Sequence, residues 1–132
     1  MCVRVCVVGQ GRDSMLLASM LRTLSIIVNA AGPSPITMSL VAALGEVLLM
    51  LRNHGEPHVR RSVAYGMFVI FTVTPPEVLL HEIVVVTREA QLWLEFVVGN
   101  DPDELCRKLG WSALGTLQQR AKSIAQAPQD EY

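Results

Sequence analysis

The glycines of residues 7–14 (Val-Val-Gly-Gln-Gly-Arg-Asp-Ser) follow an apolar run, as they do in a dinucleotide-binding turn. In that turn, glycines let the backbone approach a pyrophosphate at the start of a helix. The third glycine of the pattern would fall at Ser14, and no alternation of strands and helices follows. A nucleotide binder or small enzyme that uses Gly9 to Ser14 is therefore only a secondary hypothesis.

Histidine and cysteine side chains offer the other candidate chemistry. His54 and His58 have a spacing that suits metal ligands on a helix, but Gly55 and Pro57 lie between them. We interpret both as loop histidines, and we expect no metal site and no cofactor. Cys106 lies in the first turn of a predicted helix, where a thiol pKa can fall, but its place in the repeat pattern favours a small buried core residue. No nucleophile has a recognisable base near it, so we expect a protein that is not an enzyme.

Two arginines recur at the starts of predicted helices. Pro57 and Pro102 are 45 residues apart, and Arg60 and Arg107 are 47 apart. Repeats of about 40–47 residues built from helix pairs are typical of HEAT and armadillo solenoids. Arginines in such arrays commonly pair with acidic residues of neighbouring turns, here Glu56, Asp101 or Asp103. The predicted helix-start and ladder residues are Pro57, Val59, Arg60, Asp101, Pro102, Glu104 and Arg107.

Proline and glycine divide the chain into segments of helical length, within which apolar residues recur at steps of three and four. We expect Asp101 to cap the last helix, with Pro102 at its first position and Glu104 completing a capping box. The β-branched content of residues 62–73 favours a strand, but the Pro57 start and the repeat favour a helix. The five predicted helices are about Asp13 to Ala31, Pro35 to Arg52, Pro57 to Val73, Pro75 to Val98 and Pro102 to Ala125.

This order predicts an all-α protein, an α-solenoid of HEAT-like helix pairs. The first helix would be the second helix of one repeat, and two complete pairs would follow. The repeat domain would cover residues 13–125, after an atypical, disordered N-terminal segment (1–12) and before a flexible tail (126–132).

The composition, 51% hydrophobic and 17% charged, argues against disorder in the body of the chain. It is apolar enough that part of the surface should need a neighbour. The net charge of −1 and the lack of a basic run give no support to direct nucleic-acid binding. We expect no membrane span, because the apolar stretches are short or interrupted. The three scattered cysteines suit a reducing compartment.

Three blocks resemble the C-terminal helical region of the telomere length regulation protein family: residues 51–61, 89–94 and 100–107. The most specific elements are Glu-Ala-x-x-Trp-Leu at 89–94 and Asp-Pro-Asp-Glu-x-Cys-Arg at 101–107. The resemblance runs from about Met15 to Ile124. Full members are several times longer, with an N-terminal solenoid and an acidic linker that recruits a co-chaperone. We therefore expect a fragment or short isoform that does not recruit the co-chaperone itself.

The resemblance implies a non-catalytic scaffold that joins the other subunits of the Triple T complex. With Hsp90 and the R2TP co-chaperone, that complex matures and stabilises phosphatidylinositol-3-kinase-related kinases, and so affects telomere length and the DNA-damage checkpoint. It also implies a cytoplasmic and nuclear location. An unrelated HEAT-repeat adaptor, of the transport or phosphatase scaffold type, is the alternative.

Overall fold

The computed structural model describes the backbone of residues 2–130 and the side chains of residues 13–123. The described backbone contains helices and no strand, which confirms the all-α prediction. Its α-helices are Cys2–Ala31 (α1), Pro35–Leu51 (α2), Pro57–Val73 (α3), Val84–Asn100 (α4) and Glu104–Asp130 (α5). A short π-helix, Val78–Glu82, precedes α4.

The ends of the chain differ from the predicted bounds. Helix α1 begins at Cys2 instead of Asp13, and α5 continues to Asp130 instead of ending at Ala125. The side chains of residues 1–12 and 124–132 lie outside the described residues. The expectations of a disordered segment at 1–12 and a flexible tail at 126–132 stay predictions.

The helices pack in two layers. Helices α1, α3 and α5 lie side by side with α3 in the middle, while α2 packs on α3 and α4, and α4 packs on α5. Each of the pairs α2–α3 and α4–α5 therefore contributes one helix to each layer. This solenoid-like arrangement of helix pairs agrees with the fold class predicted from the sequence.

Helix starts follow local chemistry. At α2, the Ser34 side chain accepts a hydrogen bond from the Thr37 N–H at 3.2 Å, and Pro35 follows the cap. At α3, Pro57 lies at the N-terminus, where a missing N–H leaves no gap in the hydrogen bonding. Gly32, with φ of 71°, forms the turn after α1, since this left-handed conformation is strained for other residues.

Helix α3 forms the centre of the core. Ten of its seventeen residues are buried, because it is covered by α1, α2 and α5. Residues 62–73 are helical, as predicted, although their β-branched content favours a strand. Burial on several sides outweighs the intrinsic preference, which is weak in comparison with packing.

The predicted continuous helix from Pro75 to Val98 is wrong, because the chain breaks at Ile83. The Ile83 N–H bonds to the carbonyl of Val78 at 2.9 Å, one residue further back than in an α-helix. The Leu79 carbonyl therefore lacks the Ile83 N–H that would be its donor in an α-helix. It accepts a hydrogen bond from the buried Thr87 hydroxyl instead, at 2.7 Å. Ile83 has φ of −113° and ψ of 35°, and α4 begins after it.

One described helical stretch, Asp13–Ala31, is long and apolar enough to cross a membrane by length and composition. One face of this stretch belongs to the core: the Ala18 carbonyl accepts a hydrogen bond from the buried Ser62 hydroxyl of α3 at 3.1 Å. Ser25 on the same face is completely buried. Core packing therefore accounts for part of its apolar character.

Candidate protein-interaction site

Arg60 joins the start of α3 to the loop between α4 and α5. Its guanidinium donates to both carboxylate oxygens of Asp101, at 2.8 and 3.2 Å. It also donates to the carbonyl oxygens of His54 and Gly55 in the loop before α3. The side chains of Arg60 and Asp101 are only 13% and 5% exposed, so water screens this pair poorly.

Arg61 forms a second bidentate pair beside the first. Its guanidinium donates to the two carboxylate oxygens of Asp103 at 2.8 and 2.6 Å. The hydrogen bond from Arg61 lowers the pKa of Asp103 to about 2, against the opposing effect of burial. For Asp101, burial alone would raise the pKa, but hydrogen bonds from Arg60 and from the Asp103 N–H lower it. Both carboxylates are therefore ionised at neutral pH.

The start of α5 differs from the predicted one. Asp103 caps the helix, because its carboxylate accepts from the Cys106 N–H at 2.8 Å. Asp101 instead accepts from the Asp103 N–H in the loop. Pro102 is exposed and lies before the helix, and Glu104 is the first residue of α5. The prediction that Asp101 caps α5, with Pro102 at its first position and Glu104 completing a capping box, is wrong by two residues.

The other predicted ladder residues lie around this cluster. The Arg107 guanidinium donates to the main-chain carbonyl of Asp101 at 2.6 Å, so Arg107 contacts the loop and not a carboxylate. Val59 is fully buried in the core. Glu56 lies 3.9 Å from the His58 ring, and Glu104 pairs with Lys108 on the exposed side of α5.

We call the cluster of Arg60, Arg61, Asp101, Asp103 and Arg107 the polar ladder. Of these, the set of site residues predicted from the sequence lacked Arg61 and Asp103, although Asp103 was one of the acidic residues expected near the arginines. Two adjacent arginines facing an Asp-x-Asp element 41 and 42 residues later were the available signal. The ladder fixes the α4–α5 loop to the start of α3, so its role is to hold neighbouring helix pairs in register.

The two histidines bind different partners. The His54 ring accepts from the Glu56 N–H at 3.0 Å, and the His58 ring lies 3.1 Å from the Ser14 hydroxyl. Among the described residues, no group of three histidine, cysteine or acidic side chains could hold a metal ion.

Cys106 is completely buried. Burial, followed by the charge of Asp101, raises the pKa of its thiol to about 12. The thiol is therefore protonated at neutral pH, as expected for a buried structural cysteine.

A groove crosses the layer formed by α1, α3 and α5, directly beside the polar ladder. We call it the three-helix groove; its volume is about 370 Å³ and its lining residues are Arg22, Ile26, Arg61, Ser62, Tyr65, Leu105 and Leu109. Arg61 is already paired with Asp103, whereas Arg22 forms no salt bridge within the described part of the chain. Leu105 is 48% exposed. Apolar area beside the guanidinium of Arg22 suits contact with a protein surface.

The ladder positions the groove. Arg61 is held by Asp103, and Asp103 caps the helix that carries Leu105. The two sides of the groove, on α3 and on α5, are therefore fixed relative to each other by one carboxylate. This groove is not predictable from the sequence, because its residues come from three helices and share no spacing.

Curated proteins named "Telomere length regulation protein TEL2 homolog" are similar to most of the chain. The Xenopus tropicalis protein is 28% identical over 118 residues, which are 89% of this chain. The Homo sapiens protein is 31% identical over 108 residues, which are 82% of this chain. The chain spans only 14% and 13% of the length of these two relatives. No protein-family model and no solved structure matches the chain.

Proposed function

We propose that this chain, a relative of a segment of the telomere length regulation proteins, is a non-catalytic scaffold that binds other helical-repeat proteins. The similarity of 82–89% of the chain to those proteins carries the proposal. The packed helix pairs support it, because stacked pairs present extended surfaces to partners. The pairing of the ladder side chains with one another also favours a structural role for them over a catalytic one.

The partners in this proposal are the other subunits of the Triple T complex. Through them the chain would act with Hsp90 and the R2TP co-chaperone in maturing phosphatidylinositol-3-kinase-related kinases, in the cytoplasm and the nucleus. Effects on telomere length and the DNA-damage checkpoint would follow indirectly from kinase levels. Direct contact with nucleic acid or membrane is not part of the proposal.

The three-helix groove is the surface that we expect to contact these subunits. Its exposed Leu105 offers apolar area, and Arg22, which has no salt-bridge partner among the described residues, offers a charge for an acidic group of the partner. A charge at Leu105 would have to be desolvated on binding, so Leu105→Asp should weaken association.

Co-precipitation of the full chain with the other Triple T subunits tests the proposal. The sample must be shown to be helical and to unfold cooperatively. We expect recovery of the subunits by the natural sequence, reduced recovery by Leu105→Asp, and no change with Val85→Asp, which alters an exposed residue of α4. A folded chain that recovers none of these subunits overturns the proposal, and recovery of a transport or phosphatase complex instead would support the alternative adaptor.

A further inference from the structure

Helices α1 and α2 expose apolar side chains on the sides that face away from α3. On α2, these residues follow steps of four and three, which places them on one stripe: Ile36, Leu40, Ala43, Val47 and Met50. Ile36 and Met50 are 77% and 82% exposed. An ordinary surface helix carries polar residues on this side, so the stripe is unusual for a face in contact with water.

The exposed stripes meet in a groove between the two helices, which we call the α1–α2 groove. Its volume is about 210 Å³, and its lining residues are Leu24, Ile27, Val28, Leu40, Ala43, Leu44 and Val47. Among the side chains of residues 13–123, none that lines it is charged or forms hydrogen bonds. A ligand that brought a charge to this surface would lose its hydration without gaining a partner.

The rest of the structure shows what such a groove holds. Helix α2 packs on both α3 and α4. At the centre of the contact is Gly45, where an added Cβ would lie 2.8 Å from Val86 of α4 and 3.7 Å from Ile70 of α3. The groove between α3 and α4 is thus filled by one helix, which offers an apolar face with a small residue in its middle.

The α1–α2 groove is equivalent to the α3–α4 groove one repeat later. Helix α1 packs on α3 as α3 packs on α5, and α2 and α4 are the adjacent helices of the second layer. A helix that lay against α1 and α2 would therefore occupy the place that α2 takes against α3 and α4. A second copy of the chain is the other candidate for this surface, and the oligomeric state distinguishes it from a helix of a partner.

We propose that the α1–α2 groove binds one amphipathic α-helix of a partner protein, in the position equivalent to that of α2. The helix presents apolar residues at steps of three and four, with a small residue near the middle and no charge on that face. The proposal rests on the scaffold function proposed above, in which other helical-repeat proteins are the partners that supply such a helix.

A peptide with the sequence of Pro35–Leu51 is the probe, because this segment already fits the equivalent groove. Ile36→Lys, Leu40→Lys and Val47→Lys make it soluble and leave its packing face of Val41, Leu44, Gly45 and Leu48 unchanged. The control peptide also carries Leu44→Asp and Leu48→Asp. We expect saturable binding of one peptide per chain of 132 residues, measured by fluorescence anisotropy, and no saturable binding of the control.

Variants of the chain locate the site. Leu24→Asp and Val47→Asp change exposed residues on the two sides of the groove, so the fold should be retained, as circular dichroism checks. Each should weaken peptide binding by roughly tenfold or more, the loss expected from a charge at a central apolar contact. Val85→Asp, which adds the same charge outside the groove, should leave binding unchanged.

Three results would overturn the proposal. The first is a failure of the peptide test: the folded chain does not bind the peptide saturably, or the groove variants bind it as well as the natural sequence does. The second is a dimer in light scattering that Leu24→Asp converts to a monomer, because a second copy would then cover the groove. The third is insertion into phosphatidylcholine vesicles that the same substitution abolishes. If any of these occurs while co-precipitation of the Triple T subunits persists, the groove proposal fails and the scaffold function does not.

Discussion

At the scale of the residue, burial separates the ion pairs that hold the fold from those that do not. The side chains of Arg60 and Asp101 are 13% and 5% exposed, and the side chains of Lys108 and Glu104 are 71% and 72% exposed. An exposed pair contributes little because water screens it, whereas a charge left alone in a buried site keeps its full desolvation cost. The two kinds of pair should respond differently to the loss of one partner.

Arg60→Ala should destabilise the protein by about 3 kcal/mol, the usual cost of leaving one member of a buried pair unpaired. The loss includes the hydrogen bonds to the carbonyls of His54 and Gly55. Lys108→Ala, the matched control, should change the free energy of unfolding by about 0.5 kcal/mol or less. Urea unfolding followed by circular dichroism measures both. Equal effects of the two substitutions would contradict a structural role for the ladder.

Asp103 should make the stability depend on pH in the acid range. Its pKa is about 2 in the folded protein and close to 3.9 in an unfolded chain. The folded state therefore binds the proton less readily, so the stabilisation is complete above about pH 4 and is lost as the pH falls toward 2. Asp103→Asn keeps an acceptor for the Cys106 N–H but removes this titration.

Free energies of unfolding from urea titrations between pH 2 and 5 measure this contribution. We expect the stability of Asp103→Asn to fall less steeply with acid than that of the natural sequence. Glu104→Gln is the control, since Glu104 is an exposed neighbour in the first turn of the same helix. Parallel pH profiles for the natural chain and Asp103→Asn would show that Arg61 does not hold this carboxylate.

At the scale of the helix, the sequence predicts an element well where its own residues determine it. The bounds of α2 and α3 agree with those expected from Pro35 and Pro57, because a proline acts within one turn. The predicted start of α5 was wrong because both Asp101 and Asp103 can cap a helix. Which of them does so depends on Arg60, which binds Asp101 from 41 residues away. The break before α4 likewise depends on a hydroxyl of the following helix, at Thr87.

Substitution of Gly66 by alanine tests how closely the helices approach each other. An added Cβ at Gly66 of α3 would lie 2.7 Å from a methyl group of Leu48 and 3.1 Å from the Ser25 hydroxyl. Both neighbours are completely buried, so the Leu48 methyl group can shift only by disturbing the packing around it. Gly66→Ala should therefore cost about 1–2 kcal/mol, because overpacking exceeds the gain in helix propensity.

Gly115 of α5 is the matched control, with nothing within 4 Å of an added Cβ. Gly115→Ala should stabilise the protein by up to about 1 kcal/mol, the difference in helix propensity between the two residues. Thermal unfolding should show opposite shifts of the midpoint for the two variants. A higher midpoint of thermal unfolding for Gly66→Ala would mean that α3 does not pack closely against α1 and α2.

At the scale of the whole molecule, stability should be distributed unevenly, because each helix of a stacked array contacts only its neighbours. Helix α3 is covered by α1, α2 and α5, with ten buried residues, and the polar ladder ties its start to the loop before α5. Within the described part of the chain, the side of α1 that carries Leu24 and Ile27 is covered only partly, by α2 across an open groove. The apolar composition indicated a surface that needs a neighbour, but it could not assign that surface to α1 and α2, since this depends on how the helices stack.

Hydrogen exchange in the native state should reveal this gradient. Amides in the middle of α3 should exchange only by global unfolding, so that their exchange free energy equals the free energy of unfolding and falls with urea at the same slope. Amides of α1 between Asp13 and Ala31 should exchange through smaller openings, with a lower free energy and a weaker urea dependence. Arg60→Ala should lower the protection of α3 by its full effect on unfolding, and that of α1 by less. Equal free energies and slopes in both helices would instead mean that the helices open as one cooperative unit, and that the uncovered side of α1 costs the fold no local stability.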